Sequence, residues 1–283
     1  MKRLLPICVL FGVLVFTGCA EPKDPLPQPG DPPVVNGAAL MPFDRVKKEN
    51  QRDFILVVRI NLITVQIPIG SVSNSEQLWG YLDEEPVGAR VGSALSSNGI
   101  RVGLGRKDAW KDISGILQQL TGEPLNRTTL LVPPGAPMPI VFKPQQKEQT
   151  IFTYRRDESL FGRDYPAGDN VLMTMATINF DEPSAVWMTA TPVVRSSQRR
   201  RRYVKQAGEY ALTSEPIYYH LGDLGFRFKV PRGDFILIGP DQQAQQHSSP
   251  GYHFLVHNRQ ALEFETVVII APEVFAAPAR KKD

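Results

Sequence analysis

The run Phe54-Ile-Leu-Val-Val-Arg-Ile-Asn-Leu-Ile-Thr-Val-Gln-Ile-Pro-Ile69 constrains this chain more than any other stretch. Its apolar residues recur with period two, which predicts a long β-strand. Phe54, Leu56, Val58, Ile60 and Leu62 form one apolar set. The phase then changes, and Ile63, Val65, Ile67 and Ile69 take over, with Thr64 and Gln66 opposite. Because a slip of one residue turns every side chain to the other face, the change predicts a bulge or bend near Leu62-Ile63. Pro68 has no N–H to give a ladder and predicts the end of pairing.

Helical signals follow. Ser73-Asn-Ser-Glu76 reads as a capping box, with Ser73 at the N-cap and Glu76 at N3. That helix is expected through Leu78, Trp79 and Leu82, ending before Pro86. A second helix is expected over Val87–Leu95, closed by Asn98-Gly99, then a short strand at Ile100–Leu104. Lys107–Leu120 is amphipathic, with Trp110, Ile113, Ile116, Leu117 and Leu120 on one side and Gly122 as its stop. Strands are expected at Thr128–Val132 and Pro139–Phe142. This order predicts a small α+β module over residues 50–145.

From residue 150 to 276 the pattern is strand after strand. Asn170–Phe180 and Ala185–Val194, joined by Asp181-Glu-Pro-Ser184, read as a hairpin. Shorter strands are expected at Thr150–Tyr154, Tyr203-Val204, Tyr210–Thr213, Ile217–His220, Leu224–Val230, Asp234–Ile238, Tyr252–Val256 and Glu263–Ile270. Strands of this number and length predict a mostly antiparallel, sandwich-like module. The expected fold class is therefore α+β, with the helices in the first module.

The formal net charge is +3 over 283 residues. That falls short of the dense basic stripe of a phosphate-reading domain, so no nucleic-acid partner is expected. The two cysteines, Cys8 and Cys19, both lie near the N-terminus. The body therefore has no disulfide, thiolate metal site or cysteine nucleophile. Lys2 and Arg3 precede an apolar stretch, Leu4–Phe16, that is too short to span a bilayer comfortably. It ends in Val15-Phe-Thr-Gly-Cys19. Residues 1–18 read as a signal peptide, and the segment before Cys19 resembles the bacterial lipobox, with Phe16 where leucine is usual. The resemblance implies a lipid on the Cys19 thiol. Ala20, in place of aspartate, implies sorting to the outer membrane by the rule of two-membrane bacteria. Residues 19–45 are proline-rich and read as an extended tether. Residues 277–283, with Arg280-Lys-Lys282, read as a basic tail.

A second resemblance lies in the body. The hairpin Val171–Ile178/Val186–Val194 ends in Ala190-Thr-Pro-Val-Val194. Val230-Pro-Arg-Gly-Asp-Phe-Ile-Leu-Ile-Gly-Pro240 and Glu265-Thr-Val-Val-Ile-Ile-Ala-Pro-Glu-Val274 follow. This order resembles the C-terminal β region of bacterial type II/III secretion secretins. The chain is far shorter than a full secretin and shows no pair of long amphipathic membrane-spanning hairpins. The resemblance therefore implies a secretin-like fragment or an envelope accessory protein, not a pore-former.

Chemical motifs are sparse. Gly103-Leu-Gly105-Arg-Lys107 lacks the spacing of a phosphate-binding loop and reads as a turn between strand and helix. His253 and His257 would share a face on a helix, but Tyr252-His-Phe-Leu-Val-His257 reads as a strand, where positions four apart are separated by about 13 Å. No Gly-x-Ser-x-Gly elbow marks a serine nucleophile. Asp157, Glu158, Asp164 and Asp169 lie in or beside a Gly/Asp-rich loop, Phe161–Asn170, that lacks EF-hand spacing. No catalytic, cofactor-binding or metal-ligating residue is assigned, and no cofactor is expected. Arg199, Arg200, Arg201 and Arg202 form the densest charge run and are expected on an exposed loop facing anionic lipid or an acidic partner. The sequence thus points to a non-enzymatic, membrane-anchored envelope protein working in interaction or assembly, with an envelope protein as partner. An envelope hydrolase with an unmarked site, or a metal- or ligand-binding lipoprotein, is the alternative. A cleft collecting His220, His253 or His257 beside a serine and an aspartate would favour the hydrolase.

Overall fold

The computed structural model describes residues 34–35, 38–43, 54–178, 185–206 and 209–278. The leader, Cys19, most of the tether, the 181–184 turn and the tail beyond 278 lie outside the described residues. In chain order the elements are β1 (Val34–Val35), β2 (Ala38–Ala39), β3 (Met41–Pro42), β4 (Phe54–Pro68), α1 (Glu76–Trp79), β5 (Leu82–Asp83), α2 (Ala89–Ser97), β6 (Ile100–Gly105), α3 (Trp110–Thr121), β7 (Arg127–Val132), β8 (Pro137–Gln146), β9 (Gln149–Tyr154), β10 (Leu160–Tyr165), β11 (Gly168–Ile178), β12 (Ala185–Gln206), β13 (Glu209–His220), β14 (Phe226–Pro231), β15 (Phe235–Pro240), α4 (Pro250–Leu255), β16 (Val256–Arg259) and β17 (Leu262–Pro278). The fold is mostly antiparallel β with a few helices.

Two sheets carry the core. The first has the order β5-β6-β15-β17-β4-β7, with β16 and β3 also pairing with β17. The second has the order β13-β12-β11-β8, with β14 beside β12. A separate hairpin joins β9 and β10. The first sheet is built from both expected modules. β4 runs against β17 over its whole length, from Phe54 opposite Pro278 to Pro68 opposite Phe264. β6 likewise pairs with β15. The expected boundary near residues 145–150 therefore does not separate two sheets.

Central strands of the first sheet are buried on both faces. Val58, Ile60, Val102, Ile236, Ile238, Val268 and Ile270 pack in one cluster with Met138, Ile140, Leu172, Met188, Phe226 and Phe228 of the second sheet. Ile63, Val65, Ile67, Phe235, Leu237, Val267 and Ile269 pack in another with Leu78 and Trp79 of α1 and Trp110, Ile113 and Leu117 of α3. Two covered faces explain why Phe235–Ile238 and Val267–Ala271 are continuous apolar runs rather than alternating ones.

The same layering corrects the expected bulge in β4. Pairing of β4 with β17 and with β7 runs in unbroken register through Leu62 and Ile63. The apolar set changes parity because the covering changes. Val58 and Ile60 face the second sheet, whereas Ile63, Val65 and Ile67 face the helices. Other local expectations are also corrected. The N-cap of α1 is Ser75, whose hydroxyl accepts from Leu78 N, and the helix ends at Trp79. Ser73 is instead buried and donates its hydroxyl to Glu265. That carboxylate also accepts from the backbone N–H groups of Gly70 (2.8 Å), Val72 (2.9 Å) and Ser73 (3.1 Å). A glutamate on β17 thus fixes the loop that follows β4. Gly103 and Gly105 lie within β6, not in a turn. A Cβ on Gly105 would sit 2.2 Å from the Phe235 ring, which packs edge-on to Trp110 at 5.2 Å. Residues 252–255 are helical, because Ser249 caps α4 through Tyr252 N and Pro250 starts it.

Candidate functional site

The four arginines do not sit on a loop. β12 is a single strand of 22 residues, and β13 pairs with its second half. The first half of β12 lies inside the second sheet, between β11 and β14. A register irregularity falls between Arg195 and Arg199. Beyond it, Arg199–Gln206 pair only with Glu209–Pro216, so the two strands continue as a ribbon. Eight residues at about 3.4 Å each give a reach of roughly 27 Å.

Partners directly opposite in an antiparallel pair project on the same side, which sorts the ribbon into two faces. One face carries Arg199, Arg201, Tyr203 and Lys205 with Tyr210, Leu212, Ser214 and Pro216. The other carries Arg200, Arg202 and Val204 with Glu209, Ala211, Thr213 and Glu215. Both carboxylates of the ribbon therefore lie on the second face, where Arg202 pairs with Glu215 at 3.0 Å. The first face has three cations and no carboxylate. It also carries the two most exposed large apolar side chains of the described residues, Tyr210 at 73% and Tyr203 at 72%, together with Leu212 at 55%. Tyr203 lies opposite Leu212, and Lys205 opposite Tyr210, at the distal end. Arg199 is held nearer the body by Ser214, through its hydroxyl (3.1 Å) and carbonyl (2.7 Å). The sequence located the arginines but missed the tyrosines and Leu212, because strand parity decides which residues they accompany.

A second cluster went unread in the sequence. Lys143 of β8 is buried, donates to the Tyr252 carbonyl at 2.8 Å and lies 5.1 Å from the centre of the Tyr252 ring. The Tyr252 hydroxyl donates to Glu263 at 2.9 Å and accepts from Asn258 at 2.9 Å, and its ring stacks on His247. Burial lowers the Lys143 pKa to about 8, opposed by the Glu263 carboxylate. Burial, then the positive charge of Lys143, lowers His253 and His257 to about 4 each. Burial and the hydrogen bond to Glu263 raise Tyr252. His257 Nε2 is buried without a hydrogen-bond partner. Lys143 thus lies within electrostatic reach of two imidazoles whose protonation burial already opposes.

The remaining sequence candidates are spread apart. His253 sits in α4 and His257 in β16, so they do not share one strand. His220 ends β13, beside the Tyr218 ring. The expected loop Phe161–Asn170 consists largely of β10 and the start of β11. Its carboxylates are engaged separately: Asp164 with Thr150 at 2.6 Å and Asp169 with Arg195 at 2.6 Å and Gln145 N at 2.8 Å. Asp157, just before it, accepts from Ser159. Among the described residues, no three His, Cys, Asp or Glu side chains gather in a metal-holding group. An open cleft of about 800 Å³ runs beside α2 and β6. In it Arg101 is clamped by both oxygens of Glu84, at 2.6 and 2.7 Å, and lies over the Trp79 ring.

No family model and no curated protein matches this chain. Among the solved structures similar to it are two secretins. One is the InvG secretin-domain β-barrel of the Salmonella SPI-1 injectisome, at 10% identity and a TM-score of 0.15, covering 81% of this chain and 62% of that one. The other is the type IV competence pilus secretin PilQ of V. cholerae, at 12% identity and a TM-score of 0.18, covering 79% of this chain and 57% of that one. The chain thus spans less than two thirds of the length of either.

Proposed function

We propose that this chain is a membrane-anchored envelope lipoprotein that acts by interaction or assembly rather than catalysis, as an accessory to a secretion or pilus-type system. The observation that carries the reading is the β12–β13 ribbon. Two strands standing clear of a sheet are marginal by themselves, and this pair keeps three large apolar side chains in solvent. Such a patch marks a docking surface. The anchor rests on the lipobox-like Val15–Cys19, and the outer membrane as its site rests on Ala20. The secretion setting rests on the secretin-like order Val230–Pro240 and Glu265–Val274, which the fold places on β14, β15 and β17.

The test has two parts. Radiolabelled palmitate is followed into the wild-type chain and Cys19→Ser, with fractionation of the envelope. A photoreactive residue in place of Arg200 is then crosslinked in intact cells. Label and envelope location lost in Cys19→Ser, with a discrete crosslinked envelope species, support the reading. A wild-type chain that takes up no label and fractionates with the cytosol overturns it.

A further inference from the structure

We infer that the face of the ribbon bearing Arg199, Arg201, Tyr203, Lys205, Tyr210 and Leu212 docks on the interface of an anionic lipid bilayer, as a second membrane contact beside the lipid on Cys19. The inference rests on the envelope-lipoprotein reading for its setting and adds the chemistry of the occupant. Three features of the ribbon select a bilayer.

Charge is sorted by face. The ribbon has five cations against two carboxylates, and both carboxylates project on the opposite side. Its excess equals the +3 of the entire chain, so the remainder is balanced. Each Lys or Arg held near an anionic lipid surface contributes about 1 kcal/mol.

The apolar residues are of the interfacial kind. Tyrosine has an apolar ring and a polar tip, and it concentrates where hydrocarbon meets headgroups. Tyr203 and Tyr210 flank the distal end with Leu212 between them, while Arg199 and Arg201 lie nearer the body. Laid on the surface through this face, the ribbon would seat the rings and Leu212 at the headgroup boundary with Arg199, Arg201 and Lys205 at phosphate level, while Glu209 and Glu215 project on the other side.

The tether permits it. Fourteen residues, six of them proline, separate Cys19 from β1, and an extended proline-rich run of that length spans roughly 43 Å at ~3.1 Å per residue. An acyl anchor joined to a basic patch is a two-signal attachment, in which the tether raises the effective concentration of the second contact.

The experiment uses the mature chain, residues 19–283, carrying Cys19→Ser, so that neither an acyl group nor the apolar leader contributes. Its partition is measured into phosphatidylcholine vesicles with and without phosphatidylglycerol, over a range of salt. Partition is expected only with the anionic lipid and is expected to fall with salt. Arg199→Gln/Arg201→Gln/Lys205→Gln should reduce it about a hundredfold, the effect of three charges at about 1 kcal/mol each. Tyr203→Ser/Tyr210→Ser/Leu212→Ser should abolish it. A Tyr203→Trp chain should show a blue-shifted emission on adding anionic vesicles, and thermal melts of every variant verify folding. Partition that is absent, or equal in the parent and both triple variants, overturns the inference. If a photoreactive residue in place of Tyr210, on the docking face, then captures an envelope protein, the occupant of that face is the protein and the lipoprotein reading stands. A wild-type chain that takes up no palmitate, with partition of the Cys19→Ser chain intact, would sink the lipoprotein reading and leave the lipid contact.

Discussion

Lys143 shows what a single buried charge does in this fold. Its folded pKa of about 8 lies below the ordinary value of 10.5, so the unfolded chain holds the proton more tightly between those values. His253 and His257, at about 4 against 6.5, behave alike at lower pH. In both windows the unfolded state binds more protons, so stability rises with pH there. Denaturant unfolding followed across pH should show stability declining as pH falls from 6.5 through about 4. His253→Gln/His257→Gln should flatten that decline. Packing imposes a second constraint of this scale. With the Phe235 ring lying where a Cβ would stand, Gly105→Ala is expected to cost about 1–3 kcal/mol in a urea titration. Neither effect is visible in a list of residues. Lys143 looks like any strand lysine, and Gly105 looked like part of a turn, until neighbours distant in sequence were placed against them.

The loop after β4 and the ribbon are the elements whose roles differ most from their sequence signals. Ser73-Asn-Ser-Glu76 does start a helix, but the residue that caps it is Ser75, and the one expected to cap it serves Glu265. Glu265→Ala removes the acceptor of three backbone N–H groups and one hydroxyl at once. A loss of about 3 kcal/mol or more is expected, read as a lower urea midpoint, whereas Ser75→Ala should cost about 1 kcal/mol. The ribbon should behave in the opposite way. Its residues beyond Arg199 and Pro216 touch no core strand in the pairing scheme. Replacing residues 200–215 by an Asn-Gly turn joins two directly opposed positions and should leave the melting temperature nearly unchanged. A large drop would show that the ribbon supports the body. Alternation in Tyr203-Val204 and Tyr210–Thr213 was legible, but the arginines between strand and strand concealed that both belong to one continuous hairpin.

At the scale of the whole molecule, the pairing of β4 with β17 joins the two ends of the described chain over fifteen residue pairs. Neither half then holds a complete first sheet. Fragments cut between Gln146 and Gln149, expressed apart, are expected to give poorly dispersed amide spectra, and mixing them should restore dispersion. A first half that folds alone would refute this. The secretin-like order of strands lies on β14, β15 and β17, yet its function is decided by surfaces and not by that order. What the sequence alone determined was local: strand and helix periods, the amphipathic face of α3, the basic run and the lipobox-like leader, because each is written in neighbouring residues. Only the tertiary structure decided which face of β4 meets which layer, that Lys143 lies with two histidines, and that Tyr203, Tyr210 and Leu212 share a side with Arg199 and Arg201. Those outcomes depend on strand register and on contacts between elements more than two hundred residues apart, and hydrogen bonding across a sheet leaves no periodic mark in either strand by itself.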